Sequence, residues 1–291
     1  MASESTQRVE VDTLLAMKSR GEKIAMVTAY DYPTGRAAEA AGVDVVFVGD
    51  SVGNTILGYP DTLPVTMEDM LHHTKAVARA RKRALLLVDM PFLSFQASPE
   101  EAVRNGGRFL SEAGADAVKM EAARHLEAVE RLVNAGIPVM GHLGYTPQFS
   151  HVLAHGHVQA KTMAQAAQLC RDAQRLVDAG CFGVVVEYVP MRLTKLLTQA
   201  LPIPTIGIGS GPDCDGQVLV LADLLGLQPD LKLKHVKRYA ETGAAMEDAI
   251  FRYANDVRAG RVPTPQHGAG GLQGEELTLE RVRQMAAGEV R

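Results

Sequence analysis

Cysteine is scarce in this chain of 291 residues: there are three, Cys170, Cys181 and Cys214. An odd number without paired spacing argues against a disulfide framework or a zinc site. Cys170 and Cys181 sit in apolar sequence and read as buried fillers, and no partner motif marks a thiolate nucleophile. Long apolar runs are missing as well. None approaches the ~18 residues of a membrane span, and Met1 to Gln7 are small and polar, without the apolar centre of a secretion signal. The net charge is −4, and no basic block calls for nucleic acid or an acidic membrane. The nearest candidate, Arg79 to Arg83, reads as the last turn of a helix, where the dipole favours cations. No Gly-x-Gly-x-x-Gly opens a helix after the first strand, and no His-x-x-x-His pair falls in a helical stretch to offer zinc two ligands. A soluble, cytoplasmic protein in a reducing setting is the expectation.

What is present is apolar sequence in short pieces. Hydrophobic residues make up 46% and charged residues 22%, enough to bury a full core. The runs are Ile24–Ala29, Val43–Val48, Ala84–Val88, Ala115–Met120, Ile137–Met140, Phe182–Val186, Pro204–Ile208 and Gln217–Leu221. Each is apolar on consecutive positions and rich in β-branched residues, the pattern of a parallel strand buried on both faces. Between them the spacing predicts helices over Pro33–Ala41, Met67–Arg81, Pro99–Glu112, Arg124–Asn134, Lys161–Asp178, Met191–Gln199 and Tyr239–Ala259. Several end in Ala-Gly, at Gly42, Gly114, Gly136 and Gly180, where glycine caps a helix before the next strand. Ser98, Pro99 and the acids behind them form a helix start. Eight strands in β-α-β order predict one (β/α)8 TIM barrel over residues 1–267, with an extra helix at 10–20 before the first strand, placed to plug the barrel bottom. Residues 268–291 read as a C-terminal tail. Only about eight residues separate the seventh and eighth strands, too few for a full crossover helix.

In such a barrel the active site lies at the C-terminal ends of the strands. Five consecutive strands end there in Asp50, Asp89, Lys119 with Glu121, His142, and Glu187. One buried carboxylate at a strand end is ordinarily a loop cap or an ion-pair member. Four on one rim are hard to explain so, because a buried carboxylate is costly unless paired or metal-bound. An all-oxygen set selects a hard cation such as Mg²⁺. Lys119 and Glu121 are two apart and share a face. Lys119 serves either to stabilise an oxyanion or to pair with Asp89 or Glu121, and His142 is either a working group or a satisfied rim histidine. A divalent ion beside a 2-oxo acid polarises the keto group, and a base then removes the neighbouring proton. Aldolase, mutase and lyase chemistries all fit that pattern.

At these residues the chain resembles the ketopantoate hydroxymethyltransferase family, from about Val11 to His267. Nine motifs in order carry the resemblance: Thr28-Ala-Tyr-Asp31, Val48-Gly-Asp-Ser-Val-Gly53, Asp61-Thr-Leu-Pro-Val-Thr66, Val88-Asp-Met-Pro-Phe92, Val118-Lys-Met-Glu121, Gly141-His-Leu-Gly-Tyr-Thr-Pro-Gln148, Glu187-Tyr-Val-Pro190, Ile206-Gly-Ile-Gly-Ser-Gly211 and Asp215-Gly-Gln217. The resemblance implies that Asp50 and Asp89 ligate one Mg²⁺ per subunit, with Glu121 supporting the metal shell through water. It implies that Ser51 and Lys119 hold the 2-oxo acid, that Glu187 is the general base, and that Tyr30 and His142 border the pocket. The implied reaction moves a hydroxymethyl group from 5,10-methylenetetrahydrofolate to 3-methyl-2-oxobutanoate through an enolate, giving 2-dehydropantoate, the first committed step of pantothenate synthesis. The implied assembly is a homodecamer.

Three positions depart from the family pattern. Ala122 follows Glu121 where glycine is usual, Tyr188 stands where cysteine is common, and Ala160 replaces a glycine in the loop after the fifth strand. Alanine reaches positive φ less cheaply than glycine, so the geometry of that loop is expected to carry a cost. Two other readings remain. A lyase or mutase of the isocitrate lyase and phosphoenolpyruvate mutase type would carry a Lys-x-Cys-Gly-His loop, which is absent. A non-catalytic barrel that binds a 2-oxo acid would be expected to lose the base, and Glu187 is present.

Overall fold

Eight parallel strands close a barrel in strict chain order in the computed structural model, which describes residues 7–152, 158–231, 233–269 and 278–289. The helix α1 (Val11–Arg20) precedes β1 (Ile24–Thr28). Then follow α2 (Tyr32–Ala40), β2 (Val45–Val48), the single-turn α3 (Val52–Thr55), α4 (Met67–Ala78), β3 (Leu85–Asp89), α5 (Pro99–Ser111), β4 (Ala117–Met120), α6 (Leu126–Asn134) and β5 (Val139–Gly144). The chain continues through α7 (Met163–Asp178), β6 (Gly183–Glu187), α8 (Met191–Ala200), β7 (Thr205–Ile208), β8 (Gly216–Leu219) and α9 (Leu221–Leu224). β8 pairs back onto β1 through Met26 and Val218. The (β/α)8 barrel expected from the sequence is therefore the fold. Every residue of β2, β3 and β4 is buried, as the unbroken apolar runs require of strands covered on both faces.

The α-to-β joints form as the sequence predicts: Gly42, Gly114, Gly136 and Gly180 all take positive φ, from 74° to 95°. The seventh crossover carries no helix among the described residues; turns alone join Ile208 to Gly216. β5 continues past its apolar run, as the strand end at His142 predicts, and pairs with β6 as far as Gly144 opposite Glu187. One feature differs from the expectation. A helical turn, α3, directly follows Asp50, in a stretch too short and too Gly-rich for periodicity to reveal.

Strand alternation then decides what fills the barrel. The inner layers hold Met26, Val45, Phe47, Leu85, Leu87, Ala117, Met140, Val185, Ile206 and Val218. Val9, Leu14 and Met17 join the same cluster. The Val9 amide donates to the Arg83 carbonyl just before β3, so α1 seals the end where the strands begin. Two residues further along each strand, the same inward face becomes polar: Leu87 is followed by Asp89, Ala117 by Lys119, Met140 by His142 and Val185 by Glu187.

A first compact unit ends at Glu241 and a second starts at Thr242. The second unit contains α10 (Thr242–Arg258) and α11 (Leu279–Ala286). α10 buries Gly243 alone and leaves Met246, Ile250, Phe251, Tyr253 and Val257 exposed. Residues 270–277, 290 and 291 of the expected tail, and His155 and His157, fall outside the described residues.

Candidate active site

The mouth of the barrel encloses a cavity of about 390 Å³. Asp50, Ser51, Asp89, Lys119, Glu121, His142 and Glu187 all line it, so seven of the eight residues chosen from the sequence meet in one place. The eighth, Tyr30, stands one layer back: its hydroxyl is 2.8 Å from the Ser51 Oγ. Tyr30 therefore fixes the serine rather than facing the cavity.

Asp89 and Lys119 are register partners on β3 and β4. The Lys119 Nζ donates to the Asp89 Oδ1 at 2.7 Å, with both side chains buried, and lies 5.2 Å from the Phe47 ring centre. The other Asp89 oxygen accepts the Asp50 backbone N–H at 3.0 Å, which holds the turn after β2 against β3. Asp50 in turn accepts from the Gln148 side-chain amide at 2.9 Å. The same amide donates to the Met90 carbonyl, while the Gln148 backbone N–H donates to Glu121 at 3.1 Å. Gln148 thus ties Asp50 to Glu121. In the sequence Gln148 is only the last letter of a motif; an amide in a loop 98 residues from Asp50 carries no local signal.

Glu187 is placed by backbone geometry at Gly144. That residue has φ of 94°, and a Cβ there would lie 2.0 Å from the Glu187 carbonyl oxygen. Only glycine lets β5 pass so close. His142 sits between two acids, with Nε2 3.2 Å from Glu187 and Nδ1 3.7 Å from Glu121, and neither contact has hydrogen-bond geometry. Burial, reinforced by the Lys119 charge, drives the His142 pKa well below its ordinary value, so the ring is neutral.

Charge is unbalanced here. Burial pushes Glu187 up to about 8, while burial and the neighbouring Asp89 push Asp50 up to about 7. Burial also raises Glu121 and Asp89. Burial alone would lower Lys119, yet Asp89, Asp50 and Glu121 hold it above its ordinary value. Three buried carboxylates and the partly exposed Glu187 therefore face one cation. Two adjacent aspartates with excess negative charge suit a hard divalent cation. Among the described residues no group of three His, Cys, Asp or Glu side chains stands in ligating geometry, so protein ligands alone do not complete such a site. Magnesium, which keeps several waters, tolerates that.

This imbalance has a consequence for stability. A carboxyl whose pKa is higher folded than unfolded stabilises the fold fully below its unfolded value, and the benefit is lost as pH rises through the folded value. Without divalent cation, the unfolding temperature is expected to fall as pH goes from about 5 to about 8.5, and added Mg²⁺ is expected to raise it more at the upper pH. Differential scanning fluorimetry at both pH values checks this; a larger Mg²⁺ effect at low pH would contradict it.

Two strained residues meet beside the site, one in the loop after β5 and one just after β6. Ala160 has φ of 56° and Tyr188 has φ of 51°, and the Gln159 amide between the two segments donates to the Tyr188 carbonyl at 2.7 Å. The alanine takes the left-handed backbone that a glycine would adopt without strain, as the sequence comparison anticipated. Relief of about 1–2 kcal/mol, less about 0.4–1 kcal/mol for the more flexible unfolded glycine, leaves Ala160→Gly stabilising by several tenths of a kcal/mol. Urea unfolding measures that sign. Ala122 is fully buried in the core, and its methyl group is accommodated there.

The fold and the polar rim are those of a (β/α)8-barrel enzyme, whose working groups arrive from the ends of several strands. Comparison with known proteins narrows this further. Residues 8–265 match the family model for ketopantoate hydroxymethyltransferase, and the chain belongs to this family of transferases. It is 52% identical over 261 residues to the 3-methyl-2-oxobutanoate hydroxymethyltransferase of Moorella thermoacetica, covering 89% of this chain and 97% of that one. The enzyme of the same name from Syntrophobacter fumaroxidans is 48% identical over 274 residues, covering 93% and 97%. Among solved structures, phosphonopyruvate hydrolase in complex with oxalate and Mg²⁺ superposes with a TM-score of 0.59 at 13% identity, covering 96% and 95% of the two chains. Phosphoenolpyruvate phosphomutase from Streptomyces platensis gives 0.59 at 14%, covering 96% of each. These two share the barrel architecture.

Proposed function

We propose that the chain transfers a hydroxymethyl group from 5,10-methylenetetrahydrofolate to 3-methyl-2-oxobutanoate, consuming water and releasing 2-dehydropantoate and tetrahydrofolate. The observation that carries this reading is Glu187, a largely buried carboxylate raised to about 8, which lines one cavity together with the Lys119–Asp89 pair. The carbon to be deprotonated is tertiary and weakly acidic, so the base needs a pKa near the working pH. Burial supplies that. Glu187 accepts the proton from C3, and the neutral His142 beside it adds no cation that would quench its basicity. Lys119 stands ready for the negative charge that develops on the substrate oxygens. Ser51, steadied by Tyr30, takes the substrate carboxylate. Water opens the methylene bridge, so that tetrahydrofolate leaves and the carbon is freed at the aldehyde level; the enolate carbon adds to that carbon, and the new alkoxide oxygen takes up a proton.

Asp50 and Asp89 would hold one Mg²⁺ per subunit, with Glu121 behind them through water. When bound, this ion supplies Lewis-acid polarisation of the keto group. The product places the chain at the first committed step of pantothenate synthesis, a cytoplasmic pathway. The assembly is a homo-oligomer, a decamer by family resemblance, and the exposed apolar residues along α10 support self-association.

The test is product formation. The protein with both substrates and Mg²⁺ is expected to release 2-dehydropantoate and tetrahydrofolate in equal amounts by mass spectrometry. Cleavage of the 2-oxo acid instead, with no folate consumed, would contradict the proposed transfer.

A further inference from the structure

The cavity extends beyond the acids. Its volume of about 390 Å³ falls in the range of sites that hold drug-sized ligands, more than a 2-oxo acid of eight heavy atoms fills. The same cavity is also lined by Tyr145, Tyr188, Leu233, His235 and Asp223. Tyr188 follows Glu187 directly, so this region begins where the base stands.

Its construction is specific. The Tyr188 hydroxyl and the His235 Nδ1 are 2.8 Å apart, and their rings lie 4.9 Å centre to centre. Tyr145 meets Tyr188 edge-on, at 6.2 Å and 86°. Tyr188 is held in left-handed backbone, φ 51°, by bonds from its own amide to the Ile208 carbonyl and from Gln159 to its carbonyl. A bulky residue kept in that conformation is fixed by its surroundings, as strained residues near functional sites often are. Asp223, on α9, is half-buried. Among the described residues its carboxylate makes no hydrogen bond or ion pair, and its charge reaches Tyr188. Burial lifts its pKa, with Arg238 opposing.

A carboxylate beside fixed aromatic faces recognises a flat, neutral heteroaromatic ring that presents adjacent N–H and NH₂ donors. The 2-oxo acid has no such edge. The pteridine of a reduced folate has one: the ring N3–H and the 2-amino group. We propose that Asp223 accepts that donor edge while Tyr188, braced by His235, packs against the pteridine. This places the one-carbon donor on the Tyr188 side of Glu187, with the 2-oxo acid on the Lys119 side. The inference rests on the reading that a reduced folate is the cosubstrate.

Isothermal titration calorimetry of 5-formyltetrahydrofolate, a stable reduced folate, tests it. Asp223→Asn is expected to weaken binding about 10- to 100-fold, because an amide presents a donor to a donor edge and the charge-assisted bonds are lost. Tyr188→Leu is expected to weaken it about 3- to 10-fold, and Tyr188→Phe, which keeps the ring, is expected to bind nearly as wild type does. In steady-state assays the loss appears in KM for the folate and not in KM for 3-methyl-2-oxobutanoate. Unchanged folate affinity in both Asp223→Asn and Tyr188→Leu would overturn the placement. A wild-type chain that binds no reduced folate would instead overturn the cosubstrate reading.

Discussion

Asp50→Ala is expected to lower turnover by about 10³-fold or more, since several kcal/mol of Lewis-acid stabilisation depend on the ion it would hold. The effect follows from how the site is wired. Asp89 is committed on one side to Lys119 and on the other to the Asp50 backbone amide. The Asp50 side chain accepts from the Gln148 amide and makes no ion pair among the described residues, so of the two aspartates it is the one with more capacity left for a cation. Removing it leaves Asp89 to Lys119 and lowers the excess negative charge beside them. Calorimetric titration with Mg²⁺ separates this from misfolding. The wild type is expected to bind the ion and Asp50→Ala is not, while both unfold cooperatively. The variant is also expected to be more stable than wild type in the absence of metal at high pH, because Asp50 is one of the groups held above its ordinary pKa by burial and by Asp89. Full Mg²⁺ affinity in Asp50→Ala would contradict the assignment.

Glu187→Gln is expected to lower turnover by about 10²–10⁴-fold, the usual contribution of a positioned base. Glutamine is nearly isosteric, so the contacts of Glu187 with Gly144 and His142 survive and the loss falls on proton transfer. The pH profile carries the sign. The carboxylate is the active form, so turnover of the wild type rises with pH through the range where Glu187 ionises. That range lies at about 8 for the metal-free site, and a nearby bound cation moves it lower, because opposite charge favours the carboxylate. The rising limb is expected to vanish in Glu187→Gln. A variant that keeps the limb would show that another group is the base.

How much of this was legible beforehand differs between the fold and the site. The strands were legible because a parallel strand covered on both faces must be apolar at consecutive positions, as in Leu85 to Val88. The polar rim was legible because alternation carries Ala117 to Lys119 and Val185 to Glu187 on the same inward face. The role of Gly144 was not, since it lies in the close approach of β5 to the Glu187 carbonyl. Gln148 was not legible as a hub, because its meaning lies in joining Asp50 to Glu121 across the fold. Nor was the aromatic wall, since Tyr188 and His235 stand 47 residues apart. Tyr30 was legible as a site residue but not as a brace, a distinction set by its bond to Ser51.

The proposed reaction requires this rim to remove the C3 proton of a 2-oxo acid with help from a divalent ion. It is tested most directly by incubating the protein with 3-methyl-2-oxobutanoate in D₂O, without folate, and following the C3 proton by NMR. Exchange is expected with Mg²⁺ present, and its disappearance on adding EDTA. Exchange that persists undiminished in EDTA would contradict it.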